Sequence, residues 1–169
     1  DALQFSATLH DIGKIAISEK ILNKPGRLSD AEFEIMKSHA ERGAVILTPV
    51  RFPWEVLPVV KQHHERWDGR GYPGGLSGSA VHLHARMVSV CDSFDAMTTN
   101  RPYRPGMPVE NALQEIRRCR GNQFDPDLVP IFLAAFEAEG EAIMKRYDGQ
   151  PFGSALALAA SENGGLASV

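Results

Sequence analysis

The amino-acid sequence predicts an all-helical (all-α), single-domain bundle. Its 169 residues, 43% of them apolar, are enough to enclose one sizeable core, whereas two independent cores are not expected at this length. Apolar residues recur at intervals of three and four in most parts of the chain, which is the spacing of amphipathic helices. No stretch alternates apolar and polar residues for long, so strands are not required, and the sequence has no internal repeat.

The first two helices are predicted from their ends. Residues 2–12 are apolar enough for a helix that ends at Gly13, where glycine can adopt a left-handed cap. Ser29 and Glu32 have the spacing of a capping box at the start of the second helix. Apolar residues at helical spacing indicate that this helix continues to about Leu47.

A third helix, a long loop and a fourth helix are predicted next. The third helix should span residues 53–65, with His63 and His64 on one broad face. The loop 66–79 contains five glycines and one proline, which forbid regular structure and require special backbone angles. The next helix is predicted for residues 85–98. Four of its residues lie on one side: Val88, Cys91, Asp92 and Asp95.

Two more amphipathic helices are predicted after three prolines between residues 100 and 108. One carries an apolar stripe of Val109, Ala112, Leu113 and Ile116. The other begins at an Asp125 cap, with Pro126 in the first helical position. Residues 149–169 are rich in Gly, Ala and Ser and lack an apolar stripe, so we expect a flexible tail after a domain of residues 1–148.

The composition excludes some classes of function. A formal charge of −3 disfavours a protein that binds a nucleic acid polymer, although it is compatible with a small anionic ligand. Cys91 and Cys119 lie far apart and are interpreted as core residues of a protein in a reducing compartment. No apolar run is long enough for a membrane span, and no leader opens the chain, so the cytoplasm is the expected location.

Several metal-ligand candidates are predicted to face one interior: His10, Asp11, His39, His63 and His64. A single histidine on an apolar face is usually a core or surface residue. Several imidazoles and a carboxylate facing the same interior, however, indicate that one shared feature explains all of them. Burying these side chains without partners would cost several kcal/mol each, whereas cations would satisfy all of them. Mixed imidazole and carboxylate ligands suit Fe, Mn, Ni or Zn better than Ca or Mg, and the identity of the metal stays open.

The adjacent His10 and Asp11 suit a centre with more than one cation. A carboxylate has two oxygens and can bridge two cations, which in such centres lie about 3.5 to 4 Å apart. Lys14 follows one turn later, where its charge could contact a phosphate oxygen. The alternative for Lys14 is a solvated lysine at a helix C-terminus.

Three motifs together resemble those of a known family. They are HDIGK at residues 10–14, HHERWDGRGYP at 63–73 and DSFDAMTTNRPYR at 92–104. In this order they resemble the HD-GYP branch of the HD-domain phosphohydrolases over about residues 9–136. The resemblance implies a helical bundle of the HD-domain type that hydrolyses cyclic di-GMP to linear pGpG, and onward to GMP. It also implies a centre of two or three divalent metal ions, iron or manganese.

The resemblance implies roles for individual residues. Asp11 would be the bridging carboxylate, and Lys14 would contact phosphate. Tyr72, Arg101 and Arg104 would hold the guanine and phosphate groups; the alternatives are a structural plug under the loop for Tyr72 and surface cations for the two arginines. The implied metal ligands are His10, Asp11, His39, His63, His64 and Asp92. Two further carboxylates are expected to be supporting hydrogen-bond partners, and two histidines bystanders: Glu65, Asp95, His82 and His84.

The expected mechanism is in-line attack on phosphorus by a hydroxide that bridges two cations. No serine, cysteine or histidine is arranged in the sequence as a nucleophile with its base, so a covalent enzyme intermediate is not expected.

The chain departs from the family pattern at its start. Family members carry a preceding helix that supplies a further His, and in some a Glu, to the metals, and a sequence starting at Asp1 lacks it. We therefore expect a truncated sequence, preceded in the full protein by a sensory or receiver domain. Two alternatives stay open. One is an HD hydrolase of another cyclic dinucleotide; the other is a silent module that binds cyclic di-GMP or docks a GGDEF-domain protein through the loop around Tyr72.

Overall fold

The computed structural model describes residues 2–100 and 105–147, and within these ranges it contains helices and no strand. The α-helices are α1 (Ala2–Leu9), α2 (Glu19–Leu22), α3 (Asp30–Lys37), α4 (His39–Leu47), α5 (Val56–Gln62), α6 (Leu83–Thr98), α7 (Val109–Arg118) and α8 (Leu128–Tyr147). Two short 3-10 helices span Ile12–Ala16 and Gly78–Ala80. The predicted all-helical fold is confirmed. The predicted tail at 149–169 lies outside the described residues.

Two groups of helices pack around α6. On one side, α1 contacts α5 and α6, and α4 packs against both α5 and the 3-10 helix at 12–16. On the other side, α7 and α8 pack against α6 through aromatic and aliphatic residues. None of the helices in the described ranges has the length and apolarity needed to cross a membrane.

The first helix ends earlier than the sequence predicts. It stops at Leu9, and a turn and a 3-10 helix replace the predicted continuation to residue 12. Gly13 is not a left-handed cap, because its φ is not positive. Instead, it is buried against α4, where a β-carbon would lie 1.9 Å from the carbonyl oxygen of His39. The sequence prediction was wrong here because a close approach between two backbones, and not a cap, requires the glycine.

The capping box at Ser29 is confirmed. The Ser29 hydroxyl accepts a hydrogen bond from the Glu32 amide, and the Glu32 carboxylate accepts one from the Ser29 amide at 2.7 Å. The single helix predicted to follow is divided at Ser38 into α3 and α4. There the Ser38 hydroxyl donates to the carbonyl of Ile35, and the His39 ring bonds the carbonyl of Met36. These side-chain bonds compete with the helical pattern and explain the break.

The later helices follow the prediction with shifted ends. Helix α5 is shorter than predicted and stops at Gln62, so His63 and His64 lie just beyond it. Helix α6 begins at Leu83, two residues earlier than expected, because the His82 ring caps it by accepting a hydrogen bond from the His84 amide. Helix α8 begins at Leu128 rather than at Pro126, yet the Asp125 carboxylate still accepts the Asp127 amide as the predicted cap would.

Candidate metal centre

Three buried or half-buried histidines are oriented by the backbone of their own segments. The Nδ1 atoms of His10, His39 and His63 each lie 2.6 to 2.8 Å from the carbonyl oxygen three residues earlier. A carbonyl oxygen can only accept, so each Nδ1 must carry the proton. In the neutral imidazole the Nε2 lone pair is then free to act as a ligand, and this is the arrangement in which protein imidazoles bind metals.

The Nε2 atoms converge on the carboxylate of Asp11. Its Oδ1 lies 3.4 Å from Nε2 of His39 and 3.8 Å from Nε2 of His63, and these two nitrogens are 3.3 Å apart. His64 completes the group, since one ligand atom from each of Asp11, His39, His63 and His64 lies within 4.8 Å of all the others. Lone pairs that face one another at these distances repel unless a cation lies between them.

The second oxygen of Asp11 faces a different set of groups. Its Oδ2 lies 3.4 Å from Nε2 of His10, which is 3.7 Å from Oδ1 of Asp92. Lys14 donates a hydrogen bond to the same Oδ2. The carboxylate thus joins two clusters, one with three imidazoles and one with His10, Asp92 and Lys14.

The two clusters differ in charge. Burial lowers the pKa of His10, but the neighbouring carboxylates of Asp11 and Asp92 raise it more, to about 10. Burial also lowers the pKa values of His39, His63 and His64, and that of His64 falls to about 3. Three imidazoles are therefore neutral at pH 7 and ready to coordinate, whereas a cation at His10 must displace a proton.

The polar atoms left without partners test whether cations fit this site. Among the residues that the structure describes, two buried side-chain atoms have no hydrogen-bond partner, Nε2 of His10 and Oδ1 of Asp11. Each belongs to one of the two clusters. Buried polar atoms without a hydrogen-bond partner are rare in folded proteins, because each one costs free energy of desolvation that no hydrogen bond offsets. The residues therefore fit metal ions, with nitrogen and oxygen donors of the kind that Fe, Mn, Ni and Zn accept.

The glycine-rich loop is anchored directly behind His63 and His64. Glu65 is only 3% exposed, and its carboxylate accepts hydrogen bonds from the amides of Gly74 at 2.6 Å and Leu76 at 3.0 Å. Gly71 lies so close to this segment that a β-carbon would be 2.5 Å from the carbonyl oxygen of His64. The supporting role predicted for Glu65 is thus to hold the loop, and the loop places the Tyr72 ring 4.8 Å from the ring of His64.

Replacing Glu65 with glutamine is expected to loosen this anchor. The side-chain NH2 of glutamine would face one of the two backbone amides, of Gly74 or Leu76, that now donate to the carboxylate. One buried hydrogen bond is then lost, and that backbone amide is left without an acceptor. We expect the free energy of unfolding to fall by about 1 to 3 kcal/mol, measured by urea denaturation. Glu19→Gln, which changes an exposed carboxylate in the same way, should alter it by less than about 0.5 kcal/mol. Equal stability of the two variants would contradict this role.

A cavity of about 300 Å³ opens beside the histidines. Sequence reasoning missed several residues that line it, namely Phe33, Lys37, Arg66, Arg70, Ser89, Ser93 and Gln123. Neither Phe33 nor Lys37 lies in one of the three motifs, so the sequence does not mark them as site residues. Arg66 is held by both oxygens of Asp68 and by the side chain of Gln123, so it braces the loop.

The remaining predicted residues are placed as follows. Arg101 and Arg104 lie outside the described residues, so their substrate-binding role stays a prediction. Asp95 accepts a hydrogen bond from the Thr99 hydroxyl at 3.2 Å, in keeping with a supporting role. His82 and His84 face each other at the start of α6, and they are absent from the group of ligand atoms at Asp11.

Comparison with known proteins identifies the family. The model of the HD domain family matches residues 1–128. This chain belongs to the HD domain family. The HD-domain recognition made from HDIGK, HHERWDGRGYP and the Asp92 motif is therefore confirmed.

Several curated relatives of this HD-domain chain are phosphodiesterases by name. A cyclic di-GMP phosphodiesterase of Thermotoga maritima is 47% identical over 133 residues, 78% of this chain and 36% of that protein. The cyclic di-GMP phosphodiesterase response regulator RpfG of Xanthomonas campestris is 40% identical, over 88% of this chain and 38% of the relative. A 3'3'-cGAMP-specific phosphodiesterase 2 of Vibrio cholerae is 37% identical, over 79% and 26%. The HD-domain chain thus spans little more than a third of these relatives or less.

A solved structure supports the HD-domain fold. The crystal structure of a cyclic GMP-AMP specific phosphodiesterase of V. cholerae superposes with a TM-score of 0.57 over 81% of this chain and 39% of that one. The sequence identity is 22%, so this likeness concerns the fold alone.

Proposed function

We propose that this chain is the catalytic segment of a metal-dependent phosphodiesterase that hydrolyses cyclic di-GMP to linear pGpG, and onward to GMP. The observation that carries the proposal is the convergence of Nε2 of His39 and His63 on Oδ1 of Asp11, which has no hydrogen-bond partner among the described residues. Relatives at 40 to 47% identity that are named cyclic di-GMP phosphodiesterases support the substrate.

The proposed ligands would hold two or three iron or manganese ions through His10, Asp11, His39, His63, His64 and Asp92. Asp11 is suited to bridging because its two oxygens face different clusters. When bound, such ions polarise a phosphodiester, lower the pKa of water towards about 7 and neutralise the departing oxygen.

Lys14 and Tyr72 are the proposed contacts to substrate beside this centre. Lys14 already places its ammonium on Oδ2 of Asp11, where it could also pair with a phosphate oxygen. Tyr72 presents a ring next to His64, and an aromatic ring is suited to stacking against guanine. The exposed part of the loop would also be the docking surface for a GGDEF-domain partner.

A mixed guanine and adenine cyclic dinucleotide is the second candidate substrate. It is favoured by relatives from V. cholerae at 37 to 39% identity that are named 3'3'-cGAMP-specific phosphodiesterases. The metal chemistry would be the same, so the choice depends on the residues that contact the bases.

The test combines metal content with product formation on one sample of the full chain. Emission spectroscopy should find about two or more equivalents of Fe or Mn, and chromatography should show linear pGpG released faster from cyclic di-GMP than the corresponding product from 3'3'-cGAMP. A protein that binds cyclic di-GMP without consuming it, at full metal occupancy, would contradict the hydrolase proposal. Faster cleavage of 3'3'-cGAMP would mean that the mixed cyclic dinucleotide is the substrate. The proposed hydrolysis at a metal centre would then still hold.

A further inference from the structure

Helix α3 places an aromatic ring at the cavity without burying it in the core. No residue of α3 is buried, and the side chain of Phe33 is 46% exposed. The Phe33 ring meets the Tyr72 ring at 6.4 Å, nearly at right angles. Phe33 and Tyr72 both line the cavity, so the exposed part of the Phe33 ring is open to a ligand bound there.

Lys37 lies one turn further along the same helix. Its ammonium is 5.4 Å from the centre of the Phe33 ring and 5.8 Å from the centre of the Tyr72 ring, within range of cation–π attraction. It pairs with Glu34 at 2.5 Å, but the Glu34 side chain is 69% exposed, and exposed pairs of this kind contribute little. The positive charge therefore remains available to a stronger anionic partner.

Arg66, a half-buried cation that also lines the cavity, is already paired with other side chains. Arg66 makes two hydrogen bonds to Asp68, at 3.0 and 2.7 Å, and one to Gln123 at 3.0 Å. An arginine held in this way braces the loop and has few donors left. Lys37, by contrast, stands on the same wall as the Tyr72 ring, which in turn lies against His64 of the metal centre.

We propose that α3 supplies a second substrate-binding subsite, in which Lys37 pairs with the phosphodiester that is not being cut and Phe33 packs against a base. This inference rests on the proposed function, because a cyclic dinucleotide contains two phosphodiesters and only one can occupy the metal centre at a time. The other must lie beside it, where an ammonium is a suitable partner for phosphate and an aromatic face for a base.

The test compares two substrates with Lys37→Met. For cyclic di-GMP we expect the KM to rise about tenfold or more with little change in kcat, because the lost charge-assisted hydrogen bond is made to a phosphodiester away from the reacting phosphorus. For bis(p-nitrophenyl) phosphate, which has one phosphodiester and no base, kcat/KM should not change. Lys37→Arg should keep most of the affinity, and Lys20→Met, which removes an exposed lysine of α2, should match the wild type.

The outcomes separate the subsite from the proposed function. Equal losses on both substrates would show that Lys37 is merely structural, and an unchanged KM for cyclic di-GMP would likewise overturn the subsite alone. A wild type that cleaves bis(p-nitrophenyl) phosphate but not cyclic di-GMP would refute the proposed substrate and, with it, the subsite.

Discussion

Replacing Asp11 with alanine is expected to lower the hydrolysis of cyclic di-GMP by at least about a thousandfold and to remove metal from the protein. The carboxylate faces both clusters, with Oδ1 towards His39 and His63 and Oδ2 towards His10. A thousandfold loss corresponds to about 4 kcal/mol of transition-state stabilisation, within the several kcal/mol that bound metal ions supply.

Metal content and turnover should be measured on the same Asp11→Ala sample, with circular dichroism to confirm that the helices remain. The control is Asp127→Ala, which removes an exposed carboxylate far along the chain and should keep both properties. A variant of Asp11 that retains its full complement of metal, whatever its activity, would show that the carboxylate does not bridge.

Replacing Gly13 with alanine is expected to have the largest effect on stability. The added methyl would lie 1.9 Å from the His39 carbonyl oxygen and 2.5 Å from the amide nitrogen of Gly43. Both are backbone atoms of α4, so the contact cannot be relieved by turning a side chain. We expect a loss of about 3 kcal/mol or more in the free energy of unfolding, which lowers Tm by roughly 10 °C.

The same change should also lower metal affinity, because it pushes the segment that carries Asp11 away from the helix that carries His39. Gly43→Ala provides a graded comparison. Its methyl would meet the side chain of Val60 at 2.9 Å and the amide of Gly13 at 3.2 Å, so a smaller loss is expected. An unchanged Tm for Gly13→Ala, measured by thermal unfolding, would mean that the two segments are not packed as described.

Local signals in the sequence predicted those features that depend on neighbouring residues. The capping box needs only Ser29 and Glu32, whose spacing is visible without any tertiary information. Helical periodicity predicted inward positions for His39 and His63, and both are buried, although His63 lies just beyond the end of α5. The helix stripe at Ala112 and Ile116 is likewise found in the core.

Features that depend on contacts between distant segments could not be predicted in this way. Gly13 looks like a cap in sequence, and only the packing against α4 shows why glycine is needed there. Phe33 and Lys37 lie outside the three motifs, and only their contacts with the Tyr72 ring show that they line the cavity. The different surroundings of the two oxygens of Asp11 are also a tertiary feature, since His39, His63 and Asp92 come from segments far apart in the sequence.

The orientation of the imidazoles by their own backbone has a consequence beyond chemistry. His10, His39 and His63 are each fixed by a carbonyl three residues earlier, so each ring moves with its own segment. Cations held by these rings, Asp11 and Asp92 would cross-link segments from the beginning, middle and end of the first hundred residues. Loss of metal would then free these segments from one another, and the lifetime of the protein in the presence of proteases would depend on its metal supply.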